Sequence, residues 1–254
     1  MFDKYIHNKK VAIVGPADYM TLLKSDHGKK IDSFDIVVRP NIGPKLISNY
    51  KNFLGEKTNI LYNSLLNDVK CGGYLDKSYL KSLNCEWICT HPNSNMQGIS
   101  TGNYFSPLVK EDTLKIIKDS NLKLRMIDYE FYNQISKKIQ CRPTTGFSAI
   151  LDLLSFKPKE LYITGFSFYL SGVLQGYWGG EAGIEKKYGI TEFEESEKAF
   201  LSKRHIHKNM WNYTKNILLE NNICKFDPFL LKLLHMSKFS KENYSNVVKE
   251  FKID

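Results

Sequence analysis

Seven short apolar runs, each followed by glycine, proline or small polar residues, are spaced along the chain. They lie within residues 9–17, 33–43, 57–66, 85–94, 122–131, 159–168 and 222–228, and several are rich in β-branched residues, as in VAIV and DIVV. This pattern is typical of buried strands with loops at their carboxyl ends. Helical stretches with charged faces, such as EDTLKIIKDS, separate several of the runs. The alternation predicts an α/β fold: a single Rossmann-like domain with a mostly parallel sheet.

The last third of the chain adds three features to this picture. The segment YLSGVLQGYWGGEAG is too long and too rich in glycine for a plain connector, and we interpret it as a lid-like loop. Without repeats or a clear linker, we expect one domain over residues 1–228. A basic helical tail then spans residues 229–254. Its apolar positions fit either a terminal helix packed on the domain or a peripheral contact with an anionic membrane.

Composition and charge narrow the possible partners. The chain has 254 residues, 42% of them hydrophobic, and a formal net charge of +9. This charge favours anionic partners, but the lysines are dispersed, which disfavours a nucleic-acid surface. The five cysteines form no CxxC pair and the N-terminus is too polar for a signal peptide, so we expect reduced thiols, no zinc site and a cytoplasmic location.

Small and polar residues follow several of the predicted strands. Because ligands bind beyond the carboxyl ends of parallel strands, we expect these residues to share one site. A Thr-Thr-Gly turn opening the helix of residues 145–156 adds free N–H groups, a common anion site. Each residue alone also fits a tight turn or a helix cap. The candidates for binding are Gly15, Pro16, Ala17, Arg39, Asn41, Asn63, Ser64, Thr144, Thr145, Gly146, Phe168 and Tyr169.

Several common nucleotide signatures are missing. The first turn, VGPADY, lacks GxGxxG, and the chain has neither a Walker A lysine motif nor a DxD sequence at a strand end. The site is therefore predicted to bind a nucleoside monophosphate ester through neutral donors and a helix dipole, with no metal.

Four blocks of the sequence resemble the sialyltransferases, the enzymes that use cytidine monophosphate (CMP) sialic acid. They are KVAIVGPA, FDIVVRPNIGP, LGEKTNILYNSLL and RPTTGFSAILDLLSFKPKELYITGFSFY, within residues 10 to 228. The resemblance implies a variant GT-A fold and metal-independent, inverting transfer of the sugar. It implies a CMP-activated donor, a glycan or glycolipid acceptor, and no cofactor.

The resemblance also assigns roles. Asn41 and Asn63 would contact the cytidine and phosphate side of the donor. The Thr144–Gly146 turn would hold the donor's phosphate or carboxylate. Tyr169, with Tyr177 in the following loop, would assist the departing phosphate.

A histidine before the last helix would be the general base, and two candidates are present. The distance to Asp227-Pro228 favours His205, whereas the HKN triplet favours His207, and of the two we favour His205. The family's usual Glu after this histidine is replaced by Asn209 or Trp211, and the disulfide between the family's two motifs has no counterpart. The donor therefore stays open between sialic acid, another nonulosonic acid and 3-deoxy-manno-octulosonic acid (Kdo).

Two other functions fit the same core. A magnesium-dependent nucleotide enzyme of the pyrophosphokinase kind would need a carboxylate pair, which the sequence does not offer at a strand end. A glycan- or nucleic-acid-binding module without catalysis would not need the histidines and tyrosines. The acceptor, the linkage and the oligomeric state are not predicted.

Overall fold

A parallel sheet forms the centre of the molecule, in a computed structural model that describes residues 1–67, 72–92, 111–177 and 205–253. Its order is β5-β4-β3-β2-β1-β6-β7, and every neighbouring pair is parallel. All seven predicted strands are present: β1 Lys10–Val14, β2 Ile36–Pro40, β3 Ile60–Tyr62, β4 Trp87–Thr90, β5 Lys123–Met126, β6 Glu160–Thr164 and β7 Cys224–Phe226. The α/β class is therefore confirmed, and the sheet is parallel throughout the described strands.

Helices connect the strands and cover the sheet. In the described ranges they are α1 Phe2–Ile6, α2 His27–Asp32, α3 Ile47–Leu54, α4 Lys77–Ser82, α5 Glu111–Asp119, α6 Tyr129–Ile139, α7 Thr145–Ser155, α8 His207–Tyr213, α9 Pro228–Leu234 and α10 Lys241–Ile253. Short 3₁₀ turns occupy Asp18–Leu22 and Gly43–Leu46, and a π-helical turn at Thr214–Leu218 continues α8. Over the same ranges, no helix combines the length and apolar character needed to cross a membrane.

The strand order reverses beside β1, and this reversal positions the site. From β1 the chain builds outward through β2 to β5 on one side, then returns to place β6 and β7 on the other. Ala12 of β1 pairs with Val37 of β2 and with Tyr162 of β6. The loops after β1 and β6 therefore leave the sheet side by side, at the point where open α/β sheets bind ligands.

The strand β1 and the helix α7 contain few polar residues because most of their side chains are buried in the core. The strand residues Val11, Ala12 and Ile13 are completely buried, and α7 is buried from Gly146 to Leu153. Full burial of one such aliphatic side chain stabilises the fold by about 1.5–3 kcal/mol. The apolar run of α7 is thus a core helix whose first turn reaches the edge of the sheet.

The apolar residues of the C-terminal segment also lie in the main core. Phe229 and Leu233 are fully buried, and the Phe229 ring stacks on Tyr19 with a centroid distance of 4.3 Å. Phe251 of α10 packs edge-on against the same ring at 5.2 Å. These aromatic contacts join α9 and α10 to the loop after β1.

Candidate functional site

A pocket opens at the carboxyl ends of β1, β2 and β6, at the reversal of the strand order. The turn before α7 and the first turn of α8 complete its wall. The lining residues are Pro16, Ala17, Pro40, Asn41, Thr144, Thr145, Gly146, Phe147, Gly165, Phe166, Ser167, Phe168, Tyr169, Val173, Tyr177, His207 and Met210.

The start of α7 supplies the anion-binding end of the pocket. Thr144 is the N-cap, and its hydroxyl accepts a hydrogen bond from the Phe147 N–H at 3.2 Å. The other N–H groups of a first helical turn have no partner inside the helix. A methyl group on Gly146 would lie 2.8 Å from the Phe166 ring, so glycine keeps this wall open. The positive end of the helix dipole adds to the attraction for an anion.

Two glycines allow the loops after β1 and β6 to cross closely. A Cβ atom on Gly15 would lie 2.2 Å from the Gly165 carbonyl oxygen, and Gly165 has φ +77°. The Ala17 N–H donates to the same carbonyl at 3.1 Å. Gly15 therefore lies behind the pocket and permits the backbone crossing, whereas Pro16 and Ala17 line the pocket as expected.

A buried polar network stabilises the crossing of the loops after β1 and β6, on the side away from the pocket. The Tyr19 hydroxyl donates to the Asp227 carboxylate at 2.7 Å and accepts from the Gly165 N–H at 2.9 Å. The other Asp227 oxygen accepts from the Leu230 N–H at 2.7 Å and caps α9. Burial raises the pKa of Asp227, while the Leu230 and Tyr19 hydrogen bonds lower it. The network holds the floor of the site but does not line it.

Asn41 faces the pocket from the end of β2. Its backbone N–H donates to the Tyr62 carbonyl at 2.6 Å, and its φ of +51° turns the side chain away from the strand direction. The side-chain amide donates to the Tyr177 hydroxyl across a long 3.4 Å. Within the described residues, its buried Oδ1 has no hydrogen-bond partner. Such an atom is free to accept from a ligand.

Tyr169 and His207 form the opposite wall. Their ring centroids are 4.4 Å apart, and Phe168 and Tyr169 both have positive φ, +51° and +60°. Backbone of this kind at two consecutive aromatic residues costs of order 1–3 kcal/mol each and is most common at functional sites. Burial, with a smaller effect from His205, lowers the pKa of His207 to about 3, so this imidazole is neutral at physiological pH.

His205 lies beside His207 but does not line the pocket. The two ring centroids are 6.5 Å apart. The His205 Nδ1 lies 2.7 Å from the Arg142 carbonyl oxygen, which can only accept, so Nδ1 carries the proton. In the neutral ring this tautomer leaves Nε2 as the proton acceptor.

Three of the residues expected at the binding site, Arg39, Asn63 and Ser64, do not line this pocket. Arg39 is 1% exposed, and its guanidinium donates to the Leu54 and Gly55 carbonyls, among other acceptors, so it holds the end of α3. The Asn63 amide donates to the Gly72 carbonyl at 3.0 Å. Gly72 also packs on the Ser64 hydroxyl, where an added Cβ would lie 2.6 Å away. The turn at Gly72 thus covers Asn63 and Ser64, and it also lies next to the Asn41 Oδ1, which would be 3.2 Å from an added Cβ.

The pocket also contains residues that the sequence did not single out. They are Pro40, Phe147, Gly165, Phe166, Ser167, Val173 and Met210. Met210 follows His207 by one helical turn, and the residues of the loop after β6 flank the predicted Phe168. Val173 carried no local signal, because it reaches the pocket through an isolated bridge to Ala17.

Three expectations concern metal-binding groups, disulfide bonds and the lid-like loop. Over the part of the chain that the structure describes, no group of three His, Cys, Asp or Glu side chains could hold a metal ion together. The described cysteines, Cys85, Cys89, Cys141 and Cys224, are not disulfide-bonded. Residues 178–183 of the predicted lid-like loop lie outside the described residues, whereas residues 169–177 are described.

Two solved structures are among those similar to this chain. A crystal structure of a mammalian sialyltransferase in complex with Gal-beta-1-3GalNAc-ortho-nitrophenol is similar at 16% identity and a TM-score of 0.48, covering 88% of this chain and 71% of the other. Another crystal structure of a mammalian sialyltransferase is similar at 17% identity and a TM-score of 0.46, covering 86% and 68%. A search of curated proteins finds no match.

The family assignment itself comes from a match that covers more than half of the chain. Residues 5–166 match the family model described as glycosyltransferase family 29 (sialyltransferase). This stretch contains β1 to β6, including Asn41 and the Thr144–Gly146 turn. The chain therefore belongs to glycosyltransferase family 29, the sialyltransferases, and is a glycosyltransferase.

Proposed function

We propose that this enzyme transfers sialic acid, or a related nonulosonic acid, from its CMP ester to a glycan hydroxyl, with inversion and without a metal. One observation carries the proposal. The Thr144–Gly146 helix start, Asn41, Tyr169, Tyr177 and His207 line a single pocket in a chain of this family. These are the group types that an anionic donor and its departing phosphate require.

In the proposed complex the donor phosphate lies at the start of α7. The free N–H groups of the first turn and the helix dipole stabilise the negative charge. Asn41 offers an accepting Oδ1, which no described residue engages, and a donating amide. It therefore suits both the phosphate and the polar edge of cytosine.

The reaction exchanges one bond at the anomeric carbon. The acceptor hydroxyl oxygen forms a bond to that carbon while the bond to the phosphate oxygen breaks, and CMP leaves with both electrons. The hydroxyls of Tyr169 and Tyr177 donate to the phosphate as its charge grows. Hydrogen-bond donors placed where charge develops typically contribute 10²–10³ in rate each.

We assign His207 as the general base that takes the acceptor's proton. The His207 ring lines the pocket and contacts Tyr169. The His205 ring does not line the pocket and lies behind His207, with 6.5 Å between the two ring centroids. The low pKa of His207 keeps the accepting form populated in the free enzyme. The arriving donor, which carries a phosphate and a carboxylate, would stabilise the imidazolium that forms. His205 then acts as a positioning residue through its contact with the Arg142 backbone.

Kdo remains the alternative donor sugar. Like sialic acid it is carried by CMP and has a carboxylate next to the anomeric carbon, so the groups named above suit both sugars. The acceptor would be a glycan or a glycolipid.

The test is CMP release from CMP-sialic acid and from CMP-Kdo, with EDTA present, by the wild type, His207→Ala and His205→Ala. We expect release from one donor, unaffected by EDTA, and a loss of at least about 100-fold with His207→Ala. A panel of galactosides and sialosides serves as acceptors, because a transferase without its acceptor is slow.

The outcomes separate the parts of the proposal. Loss with His205→Ala alone would move the base to His205 and leave the reaction unchanged. Release that EDTA abolishes would contradict the metal-independent mechanism. No release from either donor, together with magnesium-dependent ATP binding, would favour the nucleotide-enzyme alternative.

A further inference from the structure

A second cluster of basic and aromatic side chains adjoins the donor pocket on the side of β4. It consists of His91 after β4, Tyr132 on α6, Arg142 before α7, and His205, and we call it the basic corner. The His91 ring stacks on Tyr132 with a centroid distance of 5.6 Å. The His205 ring contacts His207, and its Nδ1 donates to the Arg142 carbonyl. The basic corner therefore lies next to the proposed base, because His205 contacts His207 on one side and Arg142 on the other.

The basic corner contrasts with the surroundings of Arg125, another partly buried arginine. The Arg125 guanidinium makes two hydrogen bonds to the Asp152 carboxylate, at 2.6 and 2.9 Å. In the described part of the chain, Arg142 has no acidic partner. Its Nε and the Tyr132 hydroxyl are buried there without a hydrogen-bond partner of good geometry, although the two side chains are close enough to interact with each other. A guanidinium stays charged at all physiological pH values, so burial without an anion is unfavourable.

Electrostatic effects show that these groups are close together. The charge of Arg142 adds to burial in lowering the pKa of His91 to about 3, and His205 contributes in the same direction. Burial raises the pKa of Tyr132, while the charge of Arg142 and an interaction of its side chain with the Tyr132 hydroxyl lower it. Because His91 stays neutral, the corner holds the fixed positive charge of Arg142 next to a phenolic donor. A carboxylate is the ligand that this pair matches, since it can accept two parallel N–H bonds and one O–H bond.

We propose that the basic corner binds the carboxylate of a sugar acid during transfer, with Arg142 as the residue that determines this specificity. The inference rests on the proposed function for its substrate class. Two sources offer the same chemistry: the carboxylate of the donor sugar itself, or that of an acidic sugar at the end of the acceptor. In both cases the corner would bring the substrate's negative charge close to His207.

The first experiment needs no turnover and so stays informative if the proposed reaction is wrong. Calorimetry compares binding of N-acetylneuraminic acid α-methyl glycoside with binding of its uncharged methyl ester. We expect the wild type to prefer the acid by about 10- to 100-fold, from the loss of a charge-assisted pair of hydrogen bonds. Arg142→Gln should abolish this preference, and Arg142→Lys should reduce it, because lysine keeps the charge but not the planar fork.

A matched control and a fold check accompany these variants. Lys137→Gln removes one positive charge from exposed α6 surface and should leave the preference unchanged. Affinity for CMP, which has no carboxylate, should be the same in all variants. If Arg142→Gln does not fold, Arg142→Lys decides. An equal preference for the acid in the wild type and Arg142→Lys, or no preference in the wild type, overturns the proposal.

The second experiment distinguishes the two sources. A non-hydrolysable 3-fluoro analogue of CMP-sialic acid and the acceptor 3′-sialyllactose are titrated separately, with neutral lactose for comparison. A 10-fold or greater loss of affinity in Arg142→Gln for the donor analogue assigns the carboxylate to the donor. The same loss for sialyllactose, but not lactose, assigns it to an acidic acceptor. No loss for either probe contradicts the inference.

Discussion

The polar groups below the pocket and those at its wall and in the basic corner differ in how many of their hydrogen bonds are made within the protein. Below the pocket, Tyr19, Asp227 and the Gly165 N–H satisfy one another within 2.9 Å. On the pocket wall, the Asn41 Oδ1 has no partner among the described residues, and in the basic corner the same is true of the Arg142 Nε. The named atoms are buried in both cases, although Arg142 as a whole is only partly buried, so exposure of these atoms to solvent does not explain the difference.

The difference separates groups that hold the fold from groups that await a ligand. A buried polar group without a partner costs about 1–3 kcal/mol, and a fold retains it only where something else is gained. The floor network therefore stabilises the loop crossing at Gly15 and Gly165. The Asn41 Oδ1 can accept from a ligand donor such as the cytosine amino group, whereas the Arg142 Nε can donate to an anion. Mutations in the two clusters should consequently affect different measurements.

The largest effect is expected for His207→Ala. Removal of a positioned general base typically lowers the rate by 10²–10⁴, which corresponds to about 3–5 kcal/mol of barrier. Initial rates of CMP release at saturating donor measure this loss. The thermal midpoint should change little, which distinguishes a catalytic effect from unfolding. A rate within threefold of the wild type would contradict the assignment.

The next largest effect is expected for His91→Gln, which should change how the free energy of unfolding depends on pH. The folded pKa of His91, about 3, lies below the unfolded value near 6.5, so the unfolded chain binds the extra proton between these pH values. This contribution to stability is present above pH 6.5 and is lost as the pH falls toward 3. Replacing His91 by Gln should remove a slope of about 1.4 kcal/mol per pH unit from the unfolding free energy between pH 6 and 4. Urea unfolding at several pH values measures it, and an unchanged slope would show that His91 is already accessible to protons.

A smaller loss of stability is expected for Tyr19→Phe. The change leaves the Asp227 carboxylate and the Gly165 N–H without their shared partner, at a cost of about 1–3 kcal/mol. Urea unfolding at neutral pH measures the loss. The control is Tyr74→Phe, because Tyr74 is 57% exposed and its hydroxyl is expected to contribute less than about 0.5 kcal/mol. Equal stability of the two variants would mean that the floor network is not stabilising.

The smallest effect is expected for Gly146→Ala, which narrows the pocket without removing a polar group. The new methyl group would lie 2.8 Å from the Phe166 ring, which must tilt toward the donor. We expect the donor KM to rise by about 3- to 10-fold, equivalent to 0.7–1.4 kcal/mol, with kcat nearly unchanged. A lower kcat at constant KM would place Gly146 nearer to the reacting atoms than proposed.

The sequence predicted the fold well because each strand has a strong local signature. A run such as VAIV followed by Gly15 defines a buried strand and its end without reference to the rest of the chain, whereas Arg39, expected just after its strand, lies inside β2. The helix α7, opening at the Thr-Thr-Gly turn, was predicted for the same reason, and an N-cap was considered for either Thr144 or Thr145. Together with the order of strands, these signals place Asn41 and Thr145 at one edge of the sheet.

The site was predicted less completely, because side-chain direction depends on tertiary contacts. Arg39 and Asn41 are only two residues apart, yet one is enclosed by the end of α3 and the other faces the pocket. The choice between His205 and His207 likewise depends on which ring faces Tyr169, which spacing does not reveal. The basic corner contains His91, Tyr132 and Arg142 from three separate segments. No local sequence pattern predicts that these three side chains lie close together.

The central claim is that the wall groups bind the nucleotide part of the donor while the floor network does not. Calorimetric titration with CMP in the presence of EDTA tests it in the wild type, Asn41→Ala and Tyr19→Phe, each with its thermal midpoint. We predict that Asn41→Ala lowers CMP affinity about 10-fold or more at an almost unchanged midpoint. Tyr19→Phe should lower the midpoint and keep CMP affinity within about threefold at a temperature where it is folded. Equal CMP affinity in the wild type and Asn41→Ala, or no CMP binding by the wild type, would contradict the account.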